Sequence, residues 1–237
     1  MKKQGLIKMF VALMAVPLAF MAGGNALAAG VASTKHNLSS SGSANAIYSS
    51  DQPEICVFCH TPHNAIKNSG ATNNLPLWNH TLSATAAYGT YTSVTMNATP
   101  TEITTATVAN AITSHLCLSC HDGTVAVNSF NRASSINATT TMAGAGQTAG
   151  VISAGRGTNL GTDLSNDHPV NFTYNSALMT ADGGLKDPTA LTGVKLYDTK
   201  VQCASCHDPH TSQDASNKGL VRVSMSGSAL CLSCHVK

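Results

Sequence analysis

Apolar residues are distributed unevenly along this 237-residue chain. A single long apolar stretch runs from Met9 to Met21, interrupted by Pro17. Lys2, Lys3 and Lys8 lie in its basic start, and Ala26-Leu27-Ala28 follows it. A basic start, a short apolar run and a small-residue cleavage site read as a secretory signal over residues 1–28, and the run is too short for a membrane span. No later stretch is apolar enough to cross a bilayer. Ala111–His121 and Gly227–His235 suggest short helices, while Thr90–Met96 and Val194–Val201 have the alternation and β-branched content of short strands. Residues 132–166 are rich in Ala, Thr, Gly, Ser and Asn without any period and read as loop. The pattern therefore predicts mostly coil, with few short helices and minimal strand.

Composition raises a problem for such a chain. Beyond the signal there are nine aromatic residues: Tyr48, Phe58, Trp78, Tyr88, Tyr91, Phe130, Phe172, Tyr174 and Tyr197. A chain of about two hundred residues normally buries a large aliphatic and aromatic core. Some other apolar mass must take that place.

The cysteines indicate what it is. All eight fall into four Cys-x-x-Cys-His motifs: Cys56–His60, Cys117–His121, Cys203–His207 and Cys231–His235. This is the attachment signature of c-type haem. Each pair (Cys56 and Cys59, Cys117 and Cys120, Cys203 and Cys206, Cys231 and Cys234) can form thioether bonds to one porphyrin. His60, His121, His207 and His235 are then placed to ligate the irons. Structural zinc needs no histidine after each pair, and two pairs would serve one metal. A disulfide framework or a thioredoxin-like pair does not account for the histidines either. The expected fold is a multihaem cytochrome c wrapped around four covalent haem c groups over residues 29–237.

Charge adds little. Without lysines 2, 3 and 8 the chain has 10 basic residues against 11 acidic. No basic stripe exists to bind nucleic acid.

An internal repeat organises the motifs. The first and third continue as Cys-His-x-Pro-His, reaching His63 and His210. The second and fourth share Leu-Cys-Leu-Ser-Cys-His. The chain reads as two two-haem units, at about 50–130 and 195–237. First cysteines are 61 residues apart in one unit and 28 in the other, so the second pair of haems must be close neighbours.

Function depends on the sixth coordination position, because an iron with histidine on both faces passes electrons whereas an open face binds substrate. Six histidines remain for four positions: His36, His63, His80, His115, His168 and His210. His63 and His210 stand too close to their own proximal histidines to share an iron with them, so each ligates a different haem or none. His115, two residues before Cys117, reads as a surface residue. The distal candidates are His36, His63, His80, His168 and His210; Met96, Met142, Met179 and Met225 are poorer alternatives. With enough histidine to close every iron, the expectation is electron transfer rather than an enzyme. Two other readings remain: a soluble periplasmic or secreted shuttle, and a multihaem reductase with one open iron.

The order CVFCHTPH at 56–63, LWNH at 77–80, LCLSCHDG at 116–123, DHPV at 167–170, CASCHDPH at 203–210 and a terminal LCLSCH, with His36 ahead of them, resembles the extracellular multihaem cytochromes of metal-reducing bacteria, in particular the tetrahaem filament-forming ones. The resemblance covers the whole chain after the signal. It implies bis-histidine haems in a continuous stack and export to the cell surface. It also implies head-to-tail polymerisation, and delivery of electrons to metal oxides or other redox proteins. One iron would take its distal histidine from the neighbouring copy. On this resemblance the crossing residue is His36, and its recipient is the haem at Cys231, Cys234 and His235.

Because the haems stand in for a core, the haem-free chain should be largely unfolded. Far-UV circular dichroism of haem-free protein should show little structure on heating; a cooperative, native-like transition would contradict this.

Overall fold

The computed structural model describes residues 30–66, 75–101, 103–104, 112–134, 136–211 and 219–236. The expected signal at 1–28 lies outside them. Helix α1 (Thr113–His121) carries the second motif and is the longest helix among the described residues. Ile112 precedes it and has no side-chain acceptor to cap the exposed N–H groups of the first turn. His115 substitutes, its Nδ1 accepting the Ile112 N–H at 3.1 Å. That role explains why His115 is buried at 4 % exposure, contrary to its reading as a surface residue. The helix stops where Gly123 takes φ +70°, the left-handed setting that glycine adopts without penalty.

Helix α2 (Ser176–Asp182) was not apparent from the pattern, yet both its ends carry standard signals. The Asn175 side chain accepts the Leu178 N–H at 2.9 Å, and Gly183 at φ +70° ends the helix. Helix α3 is a single turn, Cys203–Cys206, holding the third motif. The first motif forms a 3-10 turn, Cys56–Phe58. The helix expected over Gly227–His235 is instead two 3-10 turns, Ser226–Ser228 and Cys231–Ser233. Gly227 at φ +58° breaks its continuity.

The strands are short, most of them two residues: β1 (Tyr48–Ser49), β2 (Ala87–Thr90), β3 (Ile103–Thr104), β4 (Met142–Ala143), β5 (Gln147–Thr148), β6 (Val151–Ile152), β7 (Asp163–Leu164), β8 (Phe172–Thr173) and β9 (Lys200–Val201). They form the sheets β1-β4, β3-β2-β7, β5-β6 and β8-β9. All pairs are antiparallel except β2 with β7. Of the expected strand Thr90–Met96 only Thr90 pairs. Of Val194–Val201 only the last two residues form a strand, because Asp198 and Thr199 adopt φ +51° and +60° and turn the chain back. The expected loop 132–166 holds β4 to β7: β4 and β7 pair with the distant β1 and β2, and β5 with β6 forms a local hairpin.

Packing follows the same economy. Among the described residues there are four small apolar clusters instead of one core, and three of them touch motif cysteines. Val57, Phe58, Val127 and Ile152 pack with Cys59 and Cys120. Leu75 and Trp78 pack with Cys59. Phe172, Tyr174, Leu178 and Val201 pack with Cys234. Tyr88, Ile103, Leu118 and Leu164 fix α1 to the β3-β2-β7 sheet. Leu118 is 1 % exposed, so Leu118→Ala should cost about 3 kcal/mol of unfolding free energy by lost burial plus a cavity. Denaturant unfolding of the haem-loaded protein reads this; a change below about 1 kcal/mol would mean the site collapses freely.

Candidate haem-binding sites

A distant segment straps three of the four motif histidines in the same way. At the first motif the His60–Trp78 bridge is flanked by Asn79 N–H to Cys59 O at 2.8 Å and Thr61 N–H to Leu77 O at 3.0 Å. At the third, His207 bridges Val221, with Arg222 N–H to Cys206 O at 2.8 Å and Asp208 N–H to Leu220 O at 2.7 Å. At the fourth, His235 bridges Leu185, with Lys186 N–H to Cys234 O at 2.7 Å and Val236 N–H to Gly184 O at 2.8 Å. The second motif, already helical, takes one such bond, from Leu160 N–H to His121 O at 2.7 Å.

The straps also orient imidazoles. His60 Nδ1 lies 2.6 Å from Pro76 O, His121 Nδ1 2.7 Å from Thr158 O, and His207 Nδ1 2.6 Å from Gly219 O. A carbonyl only accepts, so Nδ1 carries the proton and Nε2 keeps its lone pair. This is the tautomer, and the carbonyl bond on the opposite nitrogen, expected of a metal-ligating histidine. The residues after Pro76 and Gly219, Leu77 and Leu220, sit at φ +55° and +53°, a left-handed setting that costs an L-residue about 1 kcal/mol. Strain repeated at the same place in two straps marks a local requirement of the site. Burial pushes the His60 and His121 imidazoles below their ordinary pKa and so favours the neutral, ligating form.

Two of these imidazoles face a second ring. His60 and His210 have centroids 6.0 Å apart with planes at 17°. His36 and His121 are also 6.0 Å apart, at 63°. A metal–imidazole bond is about 2 Å long and a ring nitrogen lies about 1 Å from its ring centre, so two imidazoles on opposite sides of one metal have centroids about 6 Å apart. Burial moves His36 down to about 4, leaving it neutral at physiological pH. His210 does stand beside a proximal histidine other than its own neighbour His207.

The remaining candidates differ. His168 is exposed, its Nδ1 bonded to Pro169 O at 2.9 Å, so its Nε2 is free. His63 is also exposed. His80 is fully buried, with Nδ1 2.8 Å from Thr81 O and Nε2 3.0 Å from Ala126 O. Burial holds the ring below its ordinary pKa, so it is neutral with a proton on one nitrogen only. Nε2 also lies 3.5 Å from the Cys120 thiol of the second motif, and His80 stays among the distal candidates. Trp78 lies edge-on to His60 and His80, with centroids 6.2 Å and 6.4 Å away.

The structure holds all eight cysteines as free thiols. Their proximity links the motifs in sequence order. Cys120 of the second motif lies near Cys59 of the first, and the Cys117 thiol hydrogen-bonds Cys203 of the third. That bond pulls Cys203 down to about 7. Cys206 lies near Cys234 and Cys231 of the fourth. The Cys117–Cys203 joint is braced by Ser114, whose hydroxyl bonds Gln202 Oε1 at 2.5 Å and accepts the Cys203 N–H at 3.1 Å.

Among the described residues no three His, Cys, Asp or Glu side chains converge as a metal-ion site, and no helix is long and apolar enough to cross a membrane. Paired thiols with single oriented imidazoles fit haem c, in which the porphyrin supplies the other four ligands.

Residues 198–237 match the family model described as Doubled CXXCH motif. The matched part carries the motif chemistry of a multihaem c-type cytochrome. That match spans the third and fourth motifs and marks covalent haem c binding and electron transfer. A comparison with curated proteins returned no match. The strap residues are what the sequence reading missed; Pro76-Leu77-Trp78 and Gly219-Leu220-Val221 share only a central leucine.

Removing one ring of a pair should open one iron. His36→Ala and His210→Ala should each convert a single haem to high spin and leave the others low spin, read by electron paramagnetic resonance of the haem-loaded protein. An all-low-spin spectrum in either variant would contradict that pairing.

Proposed function

We propose that the chain binds four haem c groups, one at each motif, and passes electrons along them as a conduit with no substrate site. The observation that carries this reading is the pair of imidazole couples, His60 with His210 and His36 with His121, each at 6.0 Å. The eight motif cysteines hold the porphyrins and His60, His121, His207 and His235 are the proximal ligands. His210 and His36 are the distal ligands at the first and second motifs. His63 and His168, exposed, serve the third and fourth. The haem iron supplies reversible one-electron reduction.

The protein's own part is placement. Nδ1 hydrogen bonds fix each ring and strengthen it as a donor. Cys59 lies near Cys120, Cys117 beside Cys203 and Cys206 near Cys234, so the four sites follow one another in chain order. Electrons then move between neighbours without leaving the protein.

The export signal and the resemblance support a wider role, in which copies join head to tail into an extracellular filament that delivers electrons to a metal oxide or another redox protein. His36 stands against His121 of its own chain, which favours a ligand role there over the crossing to a neighbour that the resemblance implies. Exposed His63 or His168 is better placed for that. Electron cryomicroscopy of native protein from the extracellular fraction tests the polymer. Filaments with an unbroken row of haems support it; discrete particles with every iron closed within one chain would make the protein a shuttle.

A further inference from the structure

The residue after the proximal histidine is aspartate in the second and third motifs, Asp122 and Asp208, and Thr61 and Val236 in the others. The two aspartates have different surroundings. Asp122 is 3 % exposed, and every group that contacts it is a neutral donor. Its Oδ2 accepts from the hydroxyls of Ser83 at 2.5 Å, Thr85 at 3.1 Å and Tyr88 at 2.6 Å. Its Oδ1 accepts from the Thr124 N–H and hydroxyl, both at 2.8 Å. The Thr124 N–H can only donate, and with four hydroxyls also aimed at it, the carboxylate keeps the charge it carries in water. Hydrogen bonds from neutral groups stabilise that charge but do not cancel it.

Asp208 is ion-paired. Arg222 Nη1 lies 3.0 Å from its Oδ2. The guanidinium is held in place by Nε to Ala204 O at 2.8 Å and Nη2 to the Tyr197 hydroxyl at 3.2 Å. Asp208 Oδ1 also takes the His210 N–H at 3.0 Å. The pair is neutral overall. Asp167 also acts on Cys203, but it is only half-buried and reaches solvent, which screens it.

We propose that this asymmetry sets the second and third haem sites at different reduction potentials, the second lower because it alone stands beside an uncompensated buried carboxylate. A negative charge close to an iron favours the ferric state, and in a water-poor surrounding its field reaches the next residue along the backbone with little loss. Asp122 directly follows His121, and the Ser83, Thr85 and Tyr88 hydroxyls hold its buried carboxylate beside that motif. Asp208 holds the same sequence position but its field is offset by Arg222. Electrons therefore run downhill from the second site to the third across the Cys117–Cys203 joint, which makes that step directional.

This inference rests on haem occupying those motifs, and the test separates the two claims. Redox titration of the haem-loaded protein, followed optically and by electron paramagnetic resonance, gives the component potentials. Asp122→Asn should raise one component and leave the other three in place. Arg222→Gln should lower a different component, and Arg222→Lys should restore it. Four components unmoved by Asp122→Asn in a fully haem-loaded, low-spin protein would overturn the inference and leave the conduit reading intact. So would a shift of the same component by both variants. If Asp122→Asn fails to hold its haems, the Arg222→Gln and Arg222→Lys pair decides alone. A wild-type protein without reversible haem reduction would instead overturn the conduit reading itself.

Discussion

The hydrogen bond from a motif histidine's Nδ1 to a backbone carbonyl is the contact on which the other features depend. It fixes the tautomer, leaves Nε2 its lone pair, and requires a distant piece of chain to approach the motif. That requirement explains why Pro76, Thr158 and Gly219 lie where they do. It also explains why Leu77 and Leu220 keep a backbone setting that leucine otherwise avoids. The straps are thus site architecture first and secondary structure second.

The absence of a single core follows from the same cause. Small clusters around Phe58, Trp78, Tyr174 and Leu118 each secure one stretch of chain beside a motif or its helix. None alone is large enough to order two hundred residues. Four covalently held porphyrins, each flanked by imidazoles, would join these clusters into one body. The polar network at Ser114, Gln202 and Asn171 ties the second motif to the third, with Gln202 Nε2 bonded to Asn171 Oδ1 at 3.1 Å.

What could be read in the sequence was the chemistry, because haem attachment is encoded locally in five consecutive residues. Helix α1 was legible for the same reason, its motif and its preceding residues forming one local run. The straps were not, since a bridge between His60 and Trp78 or His235 and Leu185 depends on contacts between residues far apart, and two-residue strands carry no periodicity. His115 and His80 show the other limit. Each is a histidine near a motif; the structure shows His115 capping its helix and His80 buried against the second motif, neither of which its neighbours in sequence announce. The pairing of His36 with His121 likewise depends on how the N-terminal arm folds back, which its own residues do not announce.

The central claim is that every motif carries a haem whose iron lies between two imidazoles. Intact-mass analysis of the purified native protein, joined to its low-temperature electron paramagnetic resonance spectrum, tests this most directly. The account predicts a mass increment of four haems and a wholly low-spin ferric spectrum in the assembled protein. Fewer than four haems, or a persistent high-spin signal from the assembled form, would contradict it.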